Sequence, residues 1–363
     1  RTVYIIRNIE EEKLPPHWAA LIRSMRELES IYTDYPIDVE FAVDSDNIVT
    51  IFQVRPLAAS ISAAPSRVSD DEVFEAVGKV VSEYAQIGDM LGERNTILSD
   101  MAFWNPAEMI GENPHPLDYS LYREIITSAA WNQGLSYIGY KEVDGDLMYR
   151  LGNKPYISLK KSFLGLMPDD VDDKLEKKLL EYYNDRLRND PTAHDKIEFE
   201  VAFSEYDFAT EDKLAALKNK GFGREEIADL SDSLFNLTNN AISNFNRNRM
   251  KDLRALNGLR VHRENTRSNW IMADNDVITL LQYFMQLIES IKHYGTPKFA
   301  RQARLAFISK AISRSLVYRG DFTDKEIDDF MMSIYTVASE YDSDFQDLVD
   351  GRITRVTFDE KYG

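Results

Sequence analysis

From residue 171 to the end the chain reads as one helix after another, and no other feature limits its fold as strongly. The helical segments are 171–189, 197–203, 211–220, 224–245 with a continuation, 276–294, 298–316 and 324–341. Gly221, Gly223, Gly258, Gly295 and Gly320 stand where helices are expected to stop. Thr323-Asp324-Lys325-Glu326 is a capping box that starts the last of them. No period of 20 to 50 residues repeats, which excludes a solenoid or propeller. The pattern predicts a mainly α chain with a large irregular helical domain and a small α+β piece at the N-terminus.

That front piece opens on a strand-like run at residues 1–7. Pro15-Pro16 then starts a helix to about Tyr32, with Leu21, Ile22, Met25, Leu28 and Ile31 on one face. Residues 37–57 read as a β-hairpin. Val39, Phe41 and Val43 alternate with Asp38, Glu40 and Ala42, the period of a half-buried strand. Asp44-Ser45-Asp46-Asn47 has turn chemistry, and a β-rich second strand ends at Pro56. A loop at 45–48 sets Glu40 directly across from Gln53, with Arg55 two residues along on the same face. A carboxylate, an amide oxygen and a guanidinium suit a Mg²⁺–nucleotide phosphate site, with hard oxygens for the metal and a planar fork for phosphate. An ordinary wet hairpin face is the plainer alternative, and spacing alone favours it. Residues 56–69, rich in Ala, Ser and Pro, read as a linker. The capping box Ser69-Asp70-Asp71-Glu72 follows, opening a helix with Val73, Phe74, Val77, Val80, Val81, Tyr84 and Ile87 apolar.

Residues 99–168 are dense in aromatics: Phe103, Trp104, Tyr119, Tyr122, Trp131, Tyr137, Tyr140, Tyr149, Tyr156 and Phe163. Asn105-Pro106 caps a short helix that should hold 107–110 and stop at Gly111. Asp118 or Ser120 caps a second, expected to run to about Gln133 and stop at Gly134. Residues 147–151 and 156–159 are short strands around a Gly152-Asn153 turn. Most of the aromatics fit a packed core. The sharper alternative is an acceptor pocket with Asn105, Glu108, Lys160 and Ser162 converging on it. Residues 244–270 are basic, with Arg247, Arg249, Lys251, Arg254, Arg260, Arg263, Arg267 and His262 against Asp252 and Glu264. A solvated face paired to acidic helices explains them, and an anion site using Arg260 and Arg263 is the alternative.

The formal net charge of −18 repels nucleic acid in bulk and gives no pull towards anionic membranes. There is no cysteine, so thiolate chemistry and disulfides are excluded, and a reducing cytoplasm fits. No apolar run has the length of a membrane span, and no stretch reads as a signal peptide. The chain enters a strand-like run directly at Arg1, as expected of a piece of a longer polypeptide. Its histidines, His17, His115, His194, His262 and His293, show neither metal-ligand spacing nor a Gly-rich or Thr-x-His setting.

Asp38-Val39-Glu40-Phe41-Ala42, followed by Gln53-Val54-Arg55-Pro56, resembles the end of the ATP-grasp nucleotide-binding domain in the phosphoenolpyruvate synthase / pyruvate phosphate dikinase family. The resemblance implies that Glu40 and Gln53 bind Mg²⁺ of ATP and that Arg55 contacts phosphate. Trp104-Asn105-Pro106-Ala107-Glu108-Met109-Ile110-Gly111, then Pro116-Leu117-Asp118-Tyr119-Ser120-Leu121-Tyr122 and the Pro155-Tyr156 strand, resemble the family's middle segment. The glutamine-kinase type, from capsule and surface-polysaccharide clusters, is the subgroup they are most similar to. Lys160 stands where many relatives have Arg. The implied organisation is an ATP-grasp end at 1–57, a linker and connecting helix at 58–98, and a helical acceptor-binding or linking domain at 99–363. The implied enzyme splits ATP and passes phosphoryl, through a phosphohistidine, to a small acceptor such as an amino-acid amide. Its partners are the acceptor and the rest of the same polypeptide: the first ATP-grasp half and a C-terminal phosphohistidine domain. None of the five histidines fits that relay, so this stretch alone is expected to be inactive. The rival expectation is a non-catalytic helical scaffold that orients the phosphohistidine domain.

Overall fold

A computed structural model describes residue 10 and residues 14–32, 37–56, 69–93, 95–102, 105–272 and 276–362. The expected strand at 1–7, most of the linker, Phe103 and Trp104 lie outside them. The described chain is mostly helical, with two small sheets. Among these residues no helix is long and apolar enough to cross a membrane.

Proline pre-set for helical φ begins α1 (Pro16–Ile31), whose Leu21 is buried. It lies against both strands of the hairpin, β1 (Ile37–Val43) and β2 (Val49–Pro56). The Asp44 carboxylate closes the turn by accepting the N–H groups of Asp46 at 2.9 Å and Ile48 at 2.8 Å. Glu40 pairs with Gln53 and Asp38 with Arg55; beyond Glu40 a bulge leaves Phe52 as the extra residue. The capping box on Ser69 and Glu72 forms and starts α2 (Asp70–Leu91), which Gly92 ends at φ 66°.

The second sheet runs β3 (Leu98–Ser99), β5 (Lys154–Ser158), β4 (Met148–Leu151), all antiparallel. Gly152 and Asn153, at φ 56° and 72°, supply the left-handed pair that a tight hairpin needs. Asn105 caps α3 (Pro106–Ile110), and Gly111 follows it at φ 82°. The next helix, α4 (Pro116–Tyr122), starts before the expected caps: His115 is the N-cap, Pro116 takes the first position and Asp118 sits in the first turn. It widens into a π-helical turn, Arg123–Thr127, and restarts as α5 (Ala130–Ser136). Gly134 therefore does not stop a helix. It lies inside α5, where the carbonyl of Pro297 and the methyl of Ala300 leave no room for a Cβ.

The helical region continues through α6 (Leu159–Gly165), α7 (Asp173–Asn189), a π-helical turn at Ile197–Val201, α8 (Thr210–Ala215) and α9 (Arg224–Ser243). Then come α10 (Phe245–Met272), α11 (Val277–Ser290), a third π-helical turn at Ile291–Gly295 and α12 (Thr296–Tyr318). Gly258 falls inside α10 and stops nothing. The last expected helix, 324–341, is broken into α13 (Asp324–Ser333) and the start of α14 (Val337–Val349), restarted by a Thr336 cap, and α15 (Arg355–Tyr362) follows beyond it.

Two apolar cores hold these elements. Met148 and Ile157 of the sheet pack with Phe163, Leu179, Tyr183 and Leu234, joining α6, α7 and α9. Trp131, Leu135 and Tyr140 pack with Leu237, Ala300 and Ile308, joining α5, α9 and α12. Each fully buried side chain of this size contributes about 1.5–3 kcal/mol. The first and third π-helical turns meet. Thr296 donates its hydroxyl to the Ile125 carbonyl at 2.6 Å, and Lys292 pairs with Glu124.

Candidate functional site

The β1–β2 register puts Asp38, Glu40, Gln53 and Arg55 on one face of the hairpin, with Glu40 and Gln53 side by side and exposed. Arg55 does not reach outward freely. Its Nε donates to Asp38 at 2.7 Å and its Nη2 lies 3.7 Å from Glu40. The Asp38 hydrogen bond and charge hold the guanidinium pKa above its ordinary value, and Glu40 and Glu108 add to that field. Asp38 was missing from the residue-based reading, although the strand pairing that sets Glu40 against Gln53 also sets Asp38 against Arg55.

The other expected acceptor residues do not converge. The Asn105 side chain is used as a helix cap, accepting from the Glu108 N–H at 3.3 Å. Ser162 is fully buried and donates to the Ser158 carbonyl one helical turn back. Lys160 lines a concavity of about 520 Å³. Its ammonium is already bound to the Leu91 carbonyl at 2.7 Å, with Glu93 at 3.6 Å. Arg260 and Arg263 are exposed on α10, and Arg260 pairs along its own helix with Glu264. No described concavity holds Lys160 together with the basic helix.

His194 meets Ser99 at 2.8 Å and Asp100 at 3.8 Å, yet both face the same ring nitrogen, Nδ1. A Ser–His–carboxylate relay needs the two partners on opposite nitrogens. Ser99 is also buried and accepts the Met101 N–H. The arrangement ties β3 to the segment after α7.

A larger concavity, about 830 Å³, opens beside α7 and α8 and escaped the sequence reading. Tyr182 and Phe203 lie parallel there, with Phe222 edge-on to Tyr182. Three of its four cations are engaged by the protein itself: Lys178 with Glu226, Lys213 with Asp207 at 2.6 Å, Arg186 with the Val201 carbonyl at 3.0 Å; Lys220 is the fourth. Ser204 and Glu205 form its back wall, and a buried network fixes them. Arg304 donates Nε to the Tyr140 hydroxyl at 2.7 Å, and its Nη2 to Glu205 and to the Ser204 carbonyl. The Tyr140 hydroxyl donates onward to that carbonyl at 2.7 Å. Burial pushes Tyr140 up to about 12. Burial also pulls the Arg304 pKa down, but Tyr140, Glu205 and Glu198 outweigh it and the net shift is upward.

Glu198 is 7 % exposed and its Oε2 has no partner. Burial raises its pKa, with Arg304 opposing. A carboxyl raised in the folded state contributes its full stability below its unfolded pKa and loses it as pH rises through the folded one. Glu198→Gln is therefore expected to raise the unfolding temperature at pH 7. The gain should shrink towards pH 4, roughly where free glutamate titrates. Thermal unfolding of both proteins across that range checks it, and a gain independent of pH would refute it.

Compared with family models, with curated proteins and with solved structures, the chain matches none.

Proposed function

We propose that this chain is part of an ATP-dependent phosphotransferase resembling phosphoenolpyruvate synthase. The β1–β2 hairpin offers one side of its Mg²⁺–nucleotide site. One observation supports the reading above the others: Glu40 stands directly opposite Gln53, on the face that also carries Arg55. Among the described residues no group of three or more metal-ligating side chains exists. Two oxygens on one exposed face fit Mg²⁺ all the same, because this ion keeps several waters and is bound with one or two carboxylates plus substrate phosphates. Glu40 and Gln53 would hold it, and when bound it would offset charge on the phosphates. Arg55 would bind a phosphate oxygen, pre-oriented by Asp38 and released from Glu40 as the metal engages that carboxylate. Phosphoryl would pass through a histidine outside this chain to a small acceptor, in the cytoplasm where ATP is supplied.

Isothermal titration tests the site. The chain is expected to bind Mg-ATP weakly, to lose about tenfold in affinity on Glu40→Ala, and to show no binding with magnesium chelated. Binding that ignores both magnesium and Glu40 would refute the proposal.

A second reading, a helical scaffold that docks the phosphohistidine domain, is favoured by apolar faces left open on two helices. Val73, Phe74, Val77 and Val81 of α2, and Val277, Ile278, Leu281 and Phe284 of α11, are all more than a third exposed.

A further inference from the structure

A cleft where the end of α5 meets α10 and the start of α12 carries the opposite charge to the rest of the molecule. It consists of two concavities of about 400 and 420 Å³, and Tyr137 lines both. Arg247 lines the first, and Lys251, Lys298 and Arg301 line the second; Asp252 is the one carboxylate in either lining. Asp252 is already committed. It is 1 % exposed and accepts from Arg301, at 3.0 Å to Nε, and from Gln302 at 2.6 Å. Arg247, Lys251 and Lys298 form no ion pair among the described residues. In a chain with 61 acidic against 43 basic side chains, these three cations share the two linings with a single carboxylate, and Arg301 already holds it. Lys298 donates only to the His293 carbonyl, at 2.8 Å. Burial and then Arg301 lower its pKa, and Asp252 and Tyr137 oppose them without reversing the direction.

A second observation comes from Asn248. It is 5 % exposed, it lines the first concavity beside Arg247, and its Oδ1 has no hydrogen-bond partner. A buried amide left unsatisfied costs about 1–3 kcal/mol. Cations beside a free acceptor define the ligand that would satisfy both. It must be an anion, and it must also donate a hydrogen bond. A carboxylate or a sulfate only accepts at neutral pH. A phosphate with one proton left does both, since its pKa near 6 keeps part of it monoprotonated. We infer that this cleft binds a phosphorylated small molecule, its phosphate held by Arg247 and read by Asn248, with Lys251 and Lys298 of the adjoining concavity adding to the attraction. The site lies apart from the hairpin face, and it stands or falls independently of the nucleotide reading.

The test is titration of the whole chain with inorganic phosphate, sulfate and acetate at constant ionic strength, followed by amide chemical shifts at 245–252 and 296–301. Phosphate is expected to saturate in the millimolar range, with sulfate and acetate about tenfold weaker. Lys251→Met and Lys298→Met should each weaken phosphate about tenfold while the unfolding temperature holds. Asn248→Leu should equalise phosphate and sulfate. Arg260→Gln with Arg263→Gln, on the same helix but outside the cleft, should change nothing. Absence of saturation by ~50 mM phosphate, sulfate binding as well as phosphate, or an equal loss in the Arg260/Arg263 control would overturn the inference.

Discussion

Replacing Arg304 by alanine is expected to lower the free energy of unfolding by about 3–5 kcal/mol, the cost of breaking a buried pair by removing one partner. The guanidinium is 2 % exposed and binds three groups: the Tyr140 hydroxyl, the Ser204 carbonyl and Glu205. Its loss leaves the Glu205 carboxylate, itself only 10 % exposed, without a cation. Glu198, whose pKa Arg304 lowers, would be penalised further. The damage should come from stranded charge rather than lost volume. Arg304→Met is therefore expected to be nearly as destabilised as Arg304→Ala, while Arg304→Met with Glu205→Met recovers most of the loss. Urea unfolding curves give the three values. A single substitution that costs less than ~1 kcal/mol would show that water reaches Glu205 and that the network is not sealed.

Gly134→Ala should cost about 2 kcal/mol. An added Cβ would stand 2.3 Å from the Pro297 carbonyl oxygen and 2.8 Å from the Ala300 Cβ. The first is backbone at the start of α12 and cannot swing aside, so the two helices must part. Alanine's better helix propensity returns about 1 kcal/mol of the strain. The same change at Gly258 supplies the control, because that glycine lies inside α10 with nothing within 4 Å of its added Cβ. There the propensity acts alone and Gly258→Ala is expected to stabilise by up to ~1 kcal/mol. Opposite signs for one substitution at two helical glycines is the result to look for. A neutral Gly134→Ala would mean that α5 and α12 can part at no cost.

The contrast between these glycines also shows what the residues alone could tell. Local chemistry was readable. The Ser69–Glu72 and Thr323–Glu326 boxes, the Asn105-Pro106 start and the Gly111 stop all fall where short-range hydrogen bonding puts them. The hairpin was readable but not its register at the turn: the loop is one residue longer than expected, Val43 pairs with Val49, and only the bulge at Phe52 brings Glu40 opposite Gln53. Gly134 and Gly258 were not, since a glycine that ends a helix and one that lets two helices touch look alike in sequence. Nor was the Arg304–Glu205 pair, 99 residues apart, or Arg301–Asp252, 49 apart, because no local rule links such positions. The π-helical turns defeated the period itself. One extra residue in a turn rotates everything after it, so 197–203 reads as an ordinary helix and is a π turn at Ile197–Val201. The polar face around Glu40 was legible in outline, but Ser162 was misjudged because a serine hydroxyl bonded back along its helix leaves no mark in the sequence.

Arg123–Thr127 and Ile291–Gly295 bear on how this chain can evolve. Each widened turn holds one residue more than an α-helical turn, and the Thr296 hydroxyl and the Lys292 ammonium bridge the two segments. Deleting either extra residue would slide Ile125 and Glu124 out of line with partners more than 160 positions downstream. The two segments are thus bound to a common history. A lineage that loses one widened turn must lose the other or find a new way to close α12 onto α5, so descendants are expected to carry both or neither.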